Sequence, residues 1–151
     1  LGLLCYGTGP HGLMPERYET LETSRARLRE DGVPTTARRI SAKWFAAGDK
    51  HPEYWATAAH GEHLSINSAL AGLRAMETWD GFAALPSIQV PTLVLWGDQD
   101  QSYTWPQPET LWKFIKNSQL AVMPGCSHAA HVENPELFEL LLTQFVQQHS
   151  P

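Results

Sequence analysis

Residues 88–100 read Ile-Gln-Val-Pro-Thr-Leu-Val-Leu-Trp-Gly-Asp-Gln-Asp, and the fold class is predicted most clearly from them. Its apolar run, residues 90–96, does not alternate with polar residues and ends at Gly97, which is typical of a strand buried on both faces. A helical pattern follows at about residues 106–116, and residues 119–123 form a second apolar run. Because strands that alternate with helices build parallel sheets, this region predicts an α/β fold.

A third apolar run opens the chain at residues 1–6 and stops at Gly7, so it predicts another buried strand. Residues 15–80, between this run and the stretch above, carry helical spacing. The pattern predicts a first helix that ends at Gly32 and has Tyr18, Leu21, Arg25 and Leu28 on one face. A second helix should run from Thr35 or Thr36 to Gly48, and a third should cover residues 52–59. A fourth helix has Ile66, Leu70, Leu73 and Met76 on one face, and a last short helical turn precedes Pro86. Such a helical block is an insertion over the sheet.

The final helix is the best specified, because Asn134 suits its N-cap and Pro135 its first position. Two helices have predicted buried faces: Leu111, Trp112 and Ile115 in the first, and Leu137, Phe138, Leu141, Leu142 and Phe145 in the last. The expected division is a core of residues 1–14 and 86–151 with a helical cap (lid) of residues 15–85.

Composition restricts the class of protein. The 151 residues are 42% hydrophobic and 18% charged, and no apolar stretch reaches the ~18 residues of a membrane span. A formal net charge of −5 without a long basic tract argues against a nucleic-acid partner. Six of the 11 basic residues fall within 25–43, where they form either a solvated face or a lid that attracts anions.

The two cysteines, Cys5 and Cys126, do not form a CxxC pair. Free thiols of this kind suit a reducing compartment, so we expect a cytoplasmic protein. The chain opens on Leu1, inside an apolar run and without Met, which suggests that a preceding segment is missing.

Polar loops follow each predicted strand, where ligands of open α/β sheets bind. The loop after residues 90–96 offers Asp98 and Asp100, and the loop after residues 119–123 offers His128 and His131. A carboxylate on one loop and an imidazole on the next can form the orienting half of a catalytic triad, because the acid holds the imidazole tautomer and stabilises the imidazolium.

The two segments IQVPTLVLWGDQD (88–100) and MPGCSHAAHVENPELFELLLTQF (123–145) resemble the last two strand–loop–helix units of α/β-hydrolases. The resemblance implies that Asp100 is the catalytic acid and His128 the catalytic base, with a carboxylate oxygen about 2.6–3.2 Å from the imidazole Nδ1. Ser127 stands where the family usually has Gly, whereas Glu133, Pro135 and Phe138 match the family's Glu, Pro and Phe.

The remainder of the chain agrees with this resemblance. Residues 1–10, LGLLCYGTGP, resemble the family's sixth strand, and residues 24–45, SRARLREDGVPTTARRISAKWF, resemble the lid of the enol-lactonase and C–C hydrolase branch. The fold class implied is therefore the C-terminal part of an α/β-hydrolase. Its implied activity is hydrolysis of an ester, a lactone or a C–C bond of a small molecule.

The family's nucleophile, in a Gly-x-Ser-x-Gly elbow, does not occur in this sequence. We therefore expect the nucleophile to lie outside this chain, and the chain by itself to be inactive. An exposed edge of the strand at residues 1–6 should pair either with a missing N-terminal half or with a second copy of the chain.

Alternatives remain for several residues. Asp98 could be the acid, or cap its own turn; His131 is interpreted as packing or solvent-facing. Neither a Cys126–His128 pair nor zinc at His60 and His63 has a supporting motif, so we expect no metal and no cofactor. Trp44 and Trp105 are candidate substrate-binding residues, although core packing explains most tryptophans.

Three functions from different classes fit the sequence. A Ser-His-Asp hydrolase is favoured, with dehalogenases and epoxide hydrolases as siblings that use an Asp nucleophile. A non-catalytic small-molecule receptor is the second, and the presence of both Asp100 and His128 argues against it, because a binder needs neither. An inactive fragment with a structural role is the third.

Overall fold

A computed structural model describes residues 2–149. Its sheet has three parallel strands in the order β1 (Leu3–Tyr6), β2 (Thr92–Gly97) and β3 (Ser118–Met123). Cys5 of β1 is opposite Val94 of β2, which is opposite Leu120 of β3. The predicted parallel sheet is therefore present, with β2 buried at its centre; Leu1 of the predicted first strand lies outside the described residues.

Strand β2 begins at Thr92, two residues later than predicted. The cause is Pro91, which has no N–H to donate to a strand ladder. Its carbonyl oxygen still accepts the backbone N–H of Leu3 at 2.9 Å, so the chain enters the sheet in register.

Within residues 2–149, six helices accompany the sheet, and two 3₁₀ helices lie between them. The helices are α1 (Leu21–Ala42), α2 (Tyr54–Glu62), α3 (Ile66–Thr78), α4 (Pro106–Phe114), α5 (Ala130–Glu133) and α6 (Pro135–His149), and the 3₁₀ helices are Gly48–Lys50 and Phe82–Ser87. The predicted helical block thus lies between β1 and β2, although α2 starts and ends later than expected and the final turn passes beyond Pro86.

Helix α1 contains most of the first two predicted helices, but the predicted end of the second at Gly48 was wrong, because the chain leaves the helix at its C-cap Lys43. Gly32 interrupts it with φ 76° and ψ 173°, so the predicted break at this glycine is confirmed. Inclusion of Tyr18 in the first helix was wrong: Thr20 is the N-cap, and its Oγ1 accepts the backbone N–H of Thr23 at 3.1 Å.

The last helix begins as the sequence predicts, since Asn134 Oδ1 accepts the backbone N–H of Leu137 at 3.1 Å. Its apolar face is less buried than expected: only Phe145 is buried, and the four other predicted residues are partly exposed. Trp112 was also predicted to be buried and is 41% exposed, because α4 turns Leu111 and the following Ile115 toward the sheet instead.

The core has three parts. One face of the sheet packs through Leu95 and Met123 against Phe145 of α6, and the other packs through Val94 against Leu111 of α4. A third cluster joins the helical block to the loop after β3: Phe45, Tyr54, Ala58 and Ala129. This cluster holds the block directly above the carboxyl ends of the strands.

The two ends of the helical block are tied together. The backbone N–H of Gly12 donates to the carbonyl of Trp79 at 3.0 Å, and that of Gly81 donates to Pro10 at 2.8 Å. The chain therefore leaves β1 and returns toward β2 at one place. Within residues 2–149, no helix has the length and apolar character needed to cross a membrane.

Candidate active site

The loops after β2 and β3 bring Asp100 and His128 together. Asp100 Oδ2 lies 2.9 Å from His128 Nδ1, within the range expected from the sequence, and the Asp100 side chain is only 1% exposed. The loops are joined beside this contact, because the backbone N–H of Gln99 donates to the carbonyl of Cys126 at 2.9 Å. This pair is the centre of the candidate site.

The second oxygen of Asp100 is also occupied. Oδ1 accepts the backbone N–H groups of Ser102 at 2.7 Å and Tyr103 at 3.0 Å, so the carboxylate has a single orientation. Asp98, the rival acid, is exposed, and its Oδ1 accepts the backbone N–H of Gly125 at 2.8 Å. Asp98 therefore stabilises the turn after β3, and only Asp100 reaches the imidazole.

The imidazole of His128 is enclosed by three neighbours. Tyr103 stacks on it with ring centroids 5.7 Å apart and planes inclined by 13°, and Trp44 lies 5.4 Å away at a tilt. On another side is Gly7, whose φ is +54°; a Cβ there would come within 2.9 Å of His128 Cε1. The sequence therefore places a glycine where a side chain would displace the ring.

Three backbone and side-chain contacts anchor the His128 loop to the end of α1. The backbone N–H of Ala129 donates to the carbonyl of Trp44 at 2.8 Å. Glu133 accepts the N–H of Ala46 at 2.7 Å with one carboxylate oxygen and the N–H of Ser127 with the other. The Ser127 hydroxyl lies 3.2 Å from the carbonyl oxygens of Lys43 and Gln99. Glu133 thus links the helical block to the imidazole loop.

Tyr6, at the end of β1, forms hydrogen bonds with the same loop. Its hydroxyl donates to the carbonyl of His128 at 2.6 Å and lies 2.9 Å from His131 Nδ1. A hydroxyl has one proton, so Nδ1 of His131 must be the donor to Tyr6. Burial raises the pKa of Tyr6 to about 12, and burial together with the charge of His128 lowers the pKa of His131. His131 therefore packs against Tyr6, as predicted, with an uncharged ring favoured.

A cavity of about 390 Å³ opens beside His128. Its walls are mostly apolar and come from the helical block and the loop after β2. Trp44 is part of this wall together with His128, so the structure brings these two predicted residues together. Trp105 does not line the cavity. It packs on Trp96 instead, with ring centroids 5.4 Å apart.

Sequence reasoning missed several residues of this site, chiefly Tyr103, Tyr6, Arg17, Tyr18 and Thr36. Only Tyr103 carried a usable signal, since it follows Asp100 in a loop after a strand. No motif marks the others.

Cys126 is buried, and burial raises the pKa of its thiol, which opposes a reactive Cys–His pair. Both cysteines are free thiols. Among the described residues there is no group of three or more metal-ligating side chains, and His60 and His63 are both exposed.

The chain is similar in sequence to known hydrolases. The sequence model of the alpha/beta hydrolase family matches residues 3–139. Over 68 residues, 44% of the chain, the sequence is 35% identical to monoacylglycerol lipase ABHD6 of Rattus norvegicus and covers 20% of that protein. It is 28% identical over 155 residues to 2-hydroxy-6-oxononadienedioate/2-hydroxy-6-oxononatrienedioate hydrolase 2 of Pseudomonas putida, covering 97% of this chain and 54% of that one.

Two solved structures have the same fold. The esterase from Exiguobacterium antarcticum and the enol-lactonase from Burkholderia xenovorans LB400 each superpose with a TM-score of 0.85 over 97% of this chain, at 21% and 20% identity. The chain covers 57% and 56% of these two structures, respectively. It therefore spans little more than half the length of its structural relatives.

Proposed function

Because this chain belongs to the alpha/beta hydrolase family, we propose that it supplies the acid and base of an enzyme that hydrolyses an ester, a lactone or a C–C bond of a small molecule. One observation carries the proposal. The buried Asp100 carboxylate contacts His128 Nδ1 at 2.9 Å, and the same imidazole lines a cavity that can hold a small molecule. An orienting carboxylate, an imidazole and an adjoining apolar cavity are what a triad hydrolase requires.

In this proposal His128 is the general base and Asp100 keeps its proton-bearing Nδ1 in place. For an ester, His128 Nε2 takes the proton of a serine hydroxyl while the serine oxygen bonds to the carbonyl carbon. His128 then returns that proton to the leaving oxygen as the C–O bond breaks. A water molecule gives its proton to His128 as its oxygen attacks the acyl carbon, and the serine recovers the proton when the acid leaves.

The nucleophile belongs to a part of the protein outside this chain, since the 151 residues contain no Gly-x-Ser-x-Gly. We assign residues 15–85 as a lid over the site, because α1 and α3 supply much of the cavity wall. The edge of β1 that does not face β2 is the surface for the nucleophile-bearing half, or for a second copy of the chain.

The test compares the chain by itself with the chain combined with a nucleophile-bearing half. The chain alone should hydrolyse p-nitrophenyl acetate no faster than buffer, and the combination should turn it over and be labelled by a serine-directed phosphonate. Labelling and turnover in the 151-residue chain alone would contradict the assignment of the nucleophile to another segment. No turnover of any ester, lactone or C–C substrate by the combination would contradict the hydrolase.

A further inference from the structure

The cavity beside His128 contains a cation without a counter-ion. Arg17 lines the cavity, and among residues 2–149 no carboxylate lies in ion-pair contact with it. Its Nη1 atom is buried and has no hydrogen-bond partner in the described chain. Leaving a buried charged donor unpaired is costly, so this guanidinium is suited to an anion that enters the cavity.

Two hydroxyl groups in the same wall also lack partners. The Tyr18 hydroxyl and the Thr36 Oγ1 are buried, and neither makes a hydrogen bond of normal geometry within residues 2–149. Arg17 is the charged neighbour of Tyr18, and it lowers the pKa of that phenol against a larger rise from burial. Both residues line the cavity with Arg17, and Thr36 is only 6% exposed. Three buried polar groups that face one cavity and are unsatisfied together indicate a polar end to the ligand, because native proteins satisfy most buried donors.

The surrounding charges favour an anion. Glu19, which follows Tyr18 in the sequence, already accepts hydrogen bonds from Arg27 at 3.0 Å and Arg39 at 2.6 Å, and the Asp100 carboxylate is held by His128 Nδ1 at 2.9 Å. Burial raises the pKa of Glu19, but the hydrogen bonds from Arg39 and Ser24 and the charges of Arg39 and Arg27 outweigh it and keep the pKa low. The negative charge of Glu19 is therefore shared by two arginines.

Two further cations lie against Tyr18. The guanidinium of Arg17 is 5.7 Å from its ring centroid, and the ammonium of Lys43 is 6.0 Å away. With Arg27, Arg39 and Glu19, the group holds four cations and one carboxylate. Most of the remaining cavity wall is apolar, which strengthens the attraction of these charges for an anion.

The cationic wall is close to the proposed base. Arg17, Tyr103 and His128 line the same cavity, and the charge of Arg17 lowers the pKa of Tyr103 against a larger rise from burial. The ring of Tyr103 stacks on His128. A small molecule held by Arg17 would therefore occupy the cavity that the imidazole also lines.

We infer that this cavity binds its substrate by a carboxylate, with the Arg17 guanidinium as the charge partner and the Tyr18 and Thr36 hydroxyls as additional donors. The inference rests on the proposed function, since it names the substrate class of that site. A planar carboxylate suits a guanidinium because two parallel N–H groups can bind its two oxygens. Arg17 lies outside the basic segment 25–43, in which Arg25 and Arg38 pair with Glu77 and Glu62, so these contacts do not decide between the two interpretations of that segment.

The test measures binding rather than turnover. Phenylacetate and its neutral isostere phenylacetamide are titrated by calorimetry into the chain combined with its nucleophile-bearing half. We expect phenylacetate to bind at least about tenfold more tightly. That preference should disappear in Arg17→Met, shrink in Tyr18→Phe, and persist in Arg29→Met. Arg29 is the matched control, since it is exposed and outside this cavity and its substitution changes the net charge equally.

The outcomes test the carboxylate site separately from the proposed hydrolase activity. Equal affinity for the two probes in the unsubstituted protein, or an unchanged preference in a folded Arg17→Met, overturns the carboxylate site even where esters are hydrolysed. If Arg17→Met does not fold, the Tyr18→Phe result decides in the same way. A carboxylate preference that depends on Arg17, in a protein that hydrolyses nothing, supports the site and contradicts the proposed function.

Discussion

Asp100 contacts His128 Nδ1 at 2.9 Å with one carboxylate oxygen, while its other oxygen accepts two backbone N–H groups of the same loop. The two oxygens therefore have different requirements. One must accept from the backbone, and the other must accept from the imidazole. This difference predicts the outcome of the mildest substitution at the site.

Asp100→Asn should abolish most of the proposed activity without unfolding the protein. The asparagine oxygen will take the place that faces the two backbone N–H groups, so its NH₂ group will face His128 Nδ1 and put the ring proton on Nε2. A ring protonated at Nε2 cannot accept a serine proton. We expect kcat to fall by about 10⁴, as measured in the combined protein.

Asp98→Asn is the matched control for that substitution. Its side chain is exposed and can still accept the N–H of Gly125 through the amide oxygen, so kcat should stay within a few-fold of the unsubstituted value. The reverse pattern, a large loss in Asp98→Asn and none in Asp100→Asn, would move the acid to Asp98.

Gly7→Ala should displace the imidazole. The new Cβ would lie 2.9 Å from His128 Cε1 at a residue with φ +54°. Gly125→Ala separates backbone strain from the clash, because φ there is +70° but no atom lies within 4 Å of the added Cβ. Both should lose about 1–2 kcal/mol from strain. Only Gly7→Ala should lose more and shift the His128 ring resonances in NMR spectra; equal effects would refute the clash.

Glu133→Gln should loosen the connection between the helical block and the His128 loop. A glutamine has one acceptor oxygen, so either the N–H of Ala46 or that of Ser127 loses its partner. The free energy of unfolding should fall by about 1–3 kcal/mol, measured by denaturant titration. Glu139→Gln, at an exposed position of α6, should change it little; similar losses in both variants would show that Glu133 has no special role.

Acid should destabilise the protein through Glu19. Its pKa is lowered in the folded chain, so its contribution is complete above the ordinary pKa of a glutamate, near 4.5, and is lost as the pH falls through the lower folded value. Thermal melts of the unsubstituted protein and Glu19→Gln should therefore differ most above about pH 4.5 and converge in stronger acid. A constant difference across this range would contradict the assignment.

The free edge of β1 should govern association. Among the described strands, β1 pairs with β2 only, so one line of its backbone groups has no sheet partner. Unpaired strand edges promote association. We expect light scattering after gel filtration to show oligomers of the chain alone and a defined complex with its nucleophile-bearing half. A monomer of 16.9 kDa with a cooperative melt would contradict this expectation.

Local patterns in the sequence predicted most of the elements. Gly32 ends a helical segment because it adopts a positive φ, and Asn134 caps α6 because its side chain can reach the N–H of Leu137. Several wrong predictions concern which side chains are buried. Trp112 lies beside Leu111 in the sequence and looks equally buried, but the angle at which α4 meets the sheet exposes it.

Residue patterns alone were enough to predict the order of the strands along the chain, the helical block between β1 and β2, and the two loops that carry Asp100 and His128. These depend on apolar runs, turn residues and motif spacing, which act within a few residues. The packing of distant segments, in contrast, is what turns Trp44 but not Trp105 to the cavity and brings Arg17, Tyr18 and Thr36 into one wall. Such groupings depend on how α1 and α3 pack above the sheet, and sequence patterns that act within a few residues do not encode that packing.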